Sequence, residues 1–388
     1  MIPEEIKQNK YRLMALDFIK NNEFLGSTPP GLFVGEYGYP YVNVSLVSPT
    51  HIVQNARFLD TPEQWFGLDL NKFIAMRQQL VHAGKKMLST QAQSPTNELQ
   101  SLQELLMSKN SLTVDVKLEK QPLGRVEFNE IVAPVGPSAF LRKFSLEDTP
   151  KISRDIEKSY YDSDLKAETA VLSLYDSGLE ISSLYKLLSA GVFGVEKNRK
   201  LVPSKWAITA TDDMVSKNLI SEIKQFEPAH EIQLFESHYL DNHFFLLFVP
   251  GSWSFEMMEC WKPNHQTTQE KIAQDHEFFE GRTTYAHNIT GAYYSARLAA
   301  AEYLLAEKKQ ASCLVFREIG PAYEVPVGVW EVRENARHAF YNPSHSFPSI
   351  KSALDFIGTK LKAPLGEYKK KSDLLDFLQN QSKITNWF

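Results

Sequence analysis

The residues with the most chemical reach lie in three short stretches. In the first, Arg199, Lys200 and Lys205 are followed by the adjacent acids Asp212 and Asp213. Two carboxylates beside cations could hold a divalent metal and grip a phosphodiester. The chain would then be a metal-dependent enzyme acting on nucleotides or phosphodiester bonds. The competing reading is structural: acids in the first turn of a helix complement its dipole, and adjacent helical residues point about 100° apart. Arg199, Lys200 and Lys205 are a candidate nucleic-acid or phosphate site, or else a solvated loop, since residues 142–205 as a whole carry nearly balanced charge. The second stretch sets Tyr37, Tyr39 and Tyr41 beside Gly35, Gly38 and Pro40. Tyrosines stack on bases and glycines let a backbone approach a ligand closely. The competing reading is a β-hairpin whose tyrosines pack on its own sheet. The third stretch is Gln381, Ile384, Trp387 and Phe388. In a single 3₁₀ turn, Ile384 and Trp387 share one face and Phe388 flanks them. That face could plug an apolar pocket while the Gln381 amide fills a polar one and the preceding residues extend along a sheet edge. The alternative is that these aromatics fold back onto the body as core.

Other chemistries find little support. The ten histidines are scattered, without HxxxH or His–Cys spacing. Cys260 and Cys313 are the only cysteines, so a Cys₄ zinc site and a disulfide framework are excluded. The glycines at 31, 35 and 38 have the wrong spacing for a phosphate loop or a dinucleotide fingerprint. Tyr293 and Arg297 are four apart on a predicted helix and share a face. Arg317, Glu318 and Arg333 are expected on paired strands, in structural ion pairs. No cofactor is implied beyond a divalent metal at Asp212 and Asp213. The net charge of −5 does not mark a nucleic-acid binder as a whole, so DNA contact must come from a local patch. No apolar run approaches the ~18 residues of a spanning helix. The start, Met1-Ile-Pro-Glu-Glu, carries no secretory signal. A cytoplasmic, nucleoid-associated protein with no membrane partner is expected.

The 388 residues suffice for two or three domains. A helix is predicted over 4–20, then strands on either side of the Gly35–Pro40 break. Asp60-Thr-Pro-Glu63 has helix-start chemistry. A longer helix is predicted from Asp69 to Gly84, another after Asn97, and strands over 112–118 and 126–133. Residues 164–175 and 179–188 read as helices. Trp206–Thr211 reads as a short strand, with Thr211 capping the next helix. Strands at 231–239, 243–250 and 253–261 are joined by two-residue links and are therefore antiparallel. A long alanine-rich helix over 289–309, strands at 311–319 and 323–333, and helices at 349–361 and 370–379 complete the pattern. The fold class is α+β: mixed helices and mainly antiparallel sheet, with a larger N-terminal and a smaller C-terminal region. The polar segment Lys262–Thr284 sets the expected division: 1–265, 266–380 and a tail at 381–388.

The tail resembles the PIP box, the peptide by which replication and repair proteins hold the sliding clamp PCNA. Several blocks together resemble one family. They include Gly31-Leu-Phe-Val-Gly-Glu-Tyr-Gly-Tyr-Pro40, Asp60-Thr-Pro-Glu-Gln-Trp-Phe-Gly67 and Asp164-Leu-Lys-Ala-Glu168. Arg199-Lys-Leu-Val-Pro-Ser-Lys-Trp-Ala-Ile-Thr-Ala-Thr-Asp-Asp213, Gly291-Ala-Tyr-Tyr-Ser-Ala-Arg297, Arg317-Glu-Ile-Gly-Pro321 and Gly328-Val-Trp-Glu-Val-Arg333 extend the likeness over nearly the whole chain. The chain is similar to the archaeal Nre DNA repair proteins, which consist of an N-terminal and a C-terminal Nre region and often end in a PIP box. The resemblance implies a repair factor recruited to PCNA, with DNA as a second partner. Some members carry a cysteine-bearing, zinc-ribbon-like N-terminus. The first 259 residues here hold no cysteine, so that element has no counterpart in them.

Overall fold

The structure, a computed structural model, describes residue 19 and residues 21–123, 126–263 and 271–380. The helix predicted over 4–20 and the tail at 381–388 lie outside the described residues. The chain divides into two compact units: Glu4–Val215 with Pro326–Trp330, and Met1–Pro3, Ser216–Val325 and Glu331–Phe388. We call them the first and second unit. The fold is α+β, with one six-stranded sheet in each unit.

In the first unit the strands are β1 (Glu23–Thr28), β2 (Leu32–Gly35), β3 (Tyr41–Pro49), β4 (Leu80–Leu88), β5 (Leu112–Leu118) and β6 (Ser138–Leu146). Their order is β1-β5-β6-β4-β3-β2. All pairs are antiparallel except β4 with β6, where His82 faces Ser138 and Gly84 faces Phe140. Strand β5 follows its sequence pattern: Leu112, Val114, Val116 and Leu118 alternate inward. Asp69 caps the helix Leu70–Gln78, accepting from the Asn71 and Lys72 amides at 2.9 and 3.3 Å. That helix stops short of the predicted Gly84, because Leu80 already begins β4. Residues 80–84 are buried throughout, and such a run carries no period that separates strand from helix. Residues 126–133 form no strand. Glu127 makes an isolated bridge to Val135, and the pairing strand is β6.

Helices Asn97–Met107, Arg154–Tyr161, Ala167–Asp176 and Ile181–Ser189 cover this unit, and Ser204–Ile223 follows. The last corrects the sequence reading, since Trp206–Thr211 is helical and Thr211 caps nothing. Trp206, Ile208, Thr209 and Thr211 favour a strand locally. Yet Ala207, Ile208, Thr211, Asp212 and Val215 are buried, which is the three-to-four spacing of one helix face. Trp65 and Phe73 are fully buried, and the Trp330 ring lies 5.2 and 5.0 Å from theirs. Gly328 permits that approach: its φ is +97°, and a Cβ there would meet the Val132 backbone at 2.7 Å.

In the second unit the strands are β7 (Ile232–Tyr239), β8 (Asn242–Pro250), β9 (Ser254–Trp261), β10 (Lys271–Glu277), β11 (Ala311–Ile319) and β12 (His345–Phe347). The order is β10-β9-β11-β8-β7-β12. Strands β7 and β8 pair antiparallel as predicted. Strand β11 inserts between β8 and β9, antiparallel to the first and parallel to the second. All nine of its residues are buried, which suits a central strand. Strand β10 occupies part of the segment read as a polar link. The predicted strand over 323–333 is replaced from Trp330 by the helix Trp330–Ala339. Residues 331–336 are all buried, and an element buried all round shows no alternation to read. Helices Gly291–Glu307, Ile350–Lys360, Leu365–Lys371 and Asp373–Asn380 complete the unit. Leu354, Ile357, Tyr368 and Leu374 pack against Leu234, Phe245, Leu247 and Phe316 of the sheet.

Candidate nucleic-acid interface

The link between β2 and β3 presents the tyrosines. Gly38 has φ +87°, a conformation that a side chain would strain. Its carbonyl accepts from the Tyr41 amide at 3.0 Å, closing the turn. The rings point outward rather than packing on the hairpin: Tyr37 is 96% exposed, Tyr41 51% and Tyr39 43%. Trp206, in the first turn of Ser204–Ile223, is 46% exposed and joins them. Its ring centroid lies 5.3 Å from that of Tyr39. Glu36 fixes the group, accepting from Trp206 Nε1 at 3.2 Å through one oxygen and pairing with Lys205 Nζ at 3.3 Å through the other. The Val34 amide donates to Ser204 Oγ at 2.9 Å, which ties the helix start to β2. On the adjoining strand, Lys86 Nζ stands 5.3 Å over the Tyr41 ring. Aromatic faces with exposed ammonium groups among them suit stacked bases and their phosphates. The Lys205–Glu36 pair is half-exposed, so it holds its lysine weakly and a phosphate can compete for it.

The remaining predicted residues separate. Arg199 is buried, and its guanidinium donates to the carbonyls of Gly194, Tyr160 and Asp162 at 2.8, 2.7 and 3.0 Å. It braces the turn before Ser204. Lys200 is exposed. Asp212 is fully buried and Asp213 half-buried, both inside a helix rather than at its start. With the two side chains about 100° apart, they do not converge on one ion. Among the described residues, only Glu256, His276 and Asp373 are grouped closely enough to hold a metal. There Glu256 is already engaged: it accepts from the amides of Asp373 and Leu374 at 2.9 and 3.3 Å and from the Ser372 hydroxyl. It is a helix cap. Gln381, Ile384, Trp387 and Phe388 lie outside the described residues.

The second unit buries its charges in pairs. Arg297 Nη1 meets Glu277 Oε2 at 2.7 Å, and its guanidinium lies 5.7 Å over the Tyr293 ring. Arg317 joins Glu259 at 2.6 Å and Glu331 at 3.1 Å. Burial pushes Glu331 up to about 7 even with Arg317 beside it. Arg317 makes structural ion pairs, as expected, but with Glu259 and Glu331 rather than Glu318, and Arg333 and Glu331 sit on a helix rather than a strand.

One constellation escaped the sequence reading. In the first unit, Asp60 binds two buried cations, Arg77 Nη1 and Lys186 Nζ, each at 2.8 Å. Burial raises the Asp60 carboxyl, but Lys186 and then Arg77 outweigh it and hold the group below its ordinary value. His82 on β4 is buried nearby, and burial with the Arg77 charge pushes it down to about 3. No spacing in the sequence links residues 60, 77, 82 and 186. Asp60 enters the sequence reading as a helix start and Arg77 only as part of the helix predicted from Asp69.

Comparison with known proteins places the chain. The family model described as "Archaeal Nre, N-terminal" matches residues 5–267, and "Archaeal Nre, C-terminal" matches residues 277–387. The chain is 37% identical to the "DNA repair protein NreB" of Archaeoglobus fulgidus, over 91% of this chain and 89% of that protein. It is 34% identical to the "DNA repair protein NreA" of the same organism, over 89% and 87%. With the "DNA repair protein NreA" of Haloferax volcanii the identity is 29%, over 93% and 88%. No solved structure matches. The two family models together cover almost the whole length, and the chain belongs to the archaeal Nre family.

Proposed function

We propose that this protein is a DNA repair factor that engages DNA through Tyr37, Tyr39, Tyr41 and Trp206, with Lys205 and Lys86 on the phosphates. Residues 381–388 then tether it to the sliding clamp PCNA. The names of its relatives support the repair role. The observation that carries the DNA reading is four exposed aromatic residues on the 36–41 link and the adjoining helix start, Tyr39 against Trp206, with Lys205 held by Glu36 and Lys86 over the Tyr41 ring. Single exposed apolar residues are ordinary on a protein surface, whereas a contiguous patch of them marks a binding surface. Unpaired bases supply flat apolar faces that cover such rings, so single-stranded or locally opened DNA is the preferred form. The clamp reading rests on the spacing of Gln381, Ile384, Trp387 and Phe388. No helix among the described residues is long and apolar enough to cross a membrane.

Base stacking contributes about 1–3 kcal/mol per ring. Trp206→Ala therefore weakens single-strand binding roughly five- to hundredfold, measured by fluorescence anisotropy with a labelled oligonucleotide. An affinity equal to wild type would end this assignment.

A further inference from the structure

The first unit holds a small, partly open cavity, walled by charged and apolar side chains together, that the proposed DNA surface does not use. It measures about 40 Å³, and its walls include Phe33, Asp60, Arg77, His82, Lys186 and Ser204. His82 is 3% exposed, and neither of its ring nitrogens has a hydrogen-bond partner. Buried polar groups in folded proteins are paired, so an imidazole left open at a cavity wall marks a place for a polar guest. Phe33 packs edge-on to the imidazole, 5.6 Å between centroids, and supplies no partner in its place.

The charge of the walls fixes the sign of that guest. The titratable groups facing the cavity are Asp60, Arg77, His82, Tyr185 and Lys186. One carboxylate is shared by two cations, which leaves one positive charge in excess. His82 is neutral near pH 7, because burial and Arg77 oppose its protonation. Ser204 opens a twenty-residue helix, whose N-terminal end adds partial positive charge. A buried excess of positive charge is costly without a counter-ion. The cavity exceeds the ~10–15 Å³ that one water needs, and an oxyanion of a few heavy atoms fits it.

We propose that this cavity is a binding site for one phosphate group, held by Arg77, Lys186 and an N–H of His82. The group is either free inorganic phosphate or the terminal phosphate of a nucleic-acid strand. The site stands independently of the aromatic surface: loss of DNA affinity on Trp206→Ala leaves it untouched.

The test uses the full chain in phosphate-free buffer. The His82 imidazole resonances are followed by NMR while inorganic phosphate, a 5′-phosphorylated oligonucleotide and its unphosphorylated twin are added separately. The expected result is a saturable shift with inorganic phosphate, or with the phosphorylated strand and not its twin. The first outcome assigns a free anion, the second a strand end. His82→Leu, which removes two unpartnered nitrogens without stranding another group, is expected to bind about ten- to hundredfold more weakly by calorimetry. Absence of any saturable shift in the wild-type protein overturns the proposal. So does calorimetric binding by His82→Leu equal to wild type.

Discussion

His82 offers a prediction about stability that is separate from any ligand. In the folded chain its imidazole is pushed down to about 3 from an ordinary 6.5, first by burial and then by Arg77. Below pH 6.5 the unfolded chain takes up a proton that the folded chain refuses, so acid favours unfolding. The stabilisation is complete above pH 6.5 and drains away as the pH falls toward 3. Each pH unit in that window costs about 1.4 kcal/mol. At pH 5 the loss from this one residue is about 2 kcal/mol, and over the whole window on the order of 5 kcal/mol. His82→Leu removes the titration and puts an apolar side chain of similar bulk where two unpartnered ring nitrogens stood. The variant should match or exceed the wild type at pH 7. Between pH 7 and pH 5 it should lose about 2 kcal/mol less than the wild type. His243 and His338 are also lowered by burial, but they are common to both proteins and cancel in the comparison. Urea denaturation of both proteins at the two pH values, without phosphate, measures the difference. An identical pH dependence in wild type and variant would refute the reasoning, since His82 would then titrate alike folded and unfolded.

Arg199 and its lysine neighbours should behave oppositely. Arg199→Ala strands three backbone carbonyls and should destabilise the protein by on the order of 3 kcal/mol, read by thermal unfolding. Lys200→Ala with Lys205→Ala should leave the melting temperature alone and reduce the salt slope of DNA binding by about one to two counterions. At Gly31, a Cβ would lie 2.7 Å from Asp60 Oδ2, which Lys186 holds in place, so Gly31→Ala should cost about 1–3 kcal/mol in a denaturant titration. Truncating both Trp387 and Phe388 to alanine should remove about 2–4 kcal/mol or more of clamp affinity by surface plasmon resonance while the melting temperature holds. Unfolding of that variant would mean that the two rings are core.

Strands with one wet face were legible, because alternation survives in them: β5 shows its pattern residue by residue. Strand β4 and the helix at Trp330 were misread for one physical reason: each is buried on most sides, so the period that distinguishes helix from strand is filled in. The helix start at Trp206 was misread for another, the local strand preference of its aromatic and β-branched residues. The place of β11 between β8 and β9 depends on pairing with residues 58 or more positions away in the chain, which no local signal carries. At the site, the tyrosines and Lys205 were visible as residue types, but Trp206 was hidden by its reading as a strand. The Asp60, Arg77, His82 and Lys186 constellation joins elements far apart in the chain. Yet three of the blocks that carry the family resemblance line its cavity, through Phe33, Asp60 and Ser204.

The central claim is that DNA lies on the aromatic surface of the first unit. Photo-crosslinking of single-stranded DNA to the full-length protein, followed by peptide mapping, tests it most directly. The account predicts crosslinks at Tyr37, Tyr39 and Trp206, lost when salt is raised. Crosslinks concentrated elsewhere, with none in residues 36–41 or at Trp206, would contradict it.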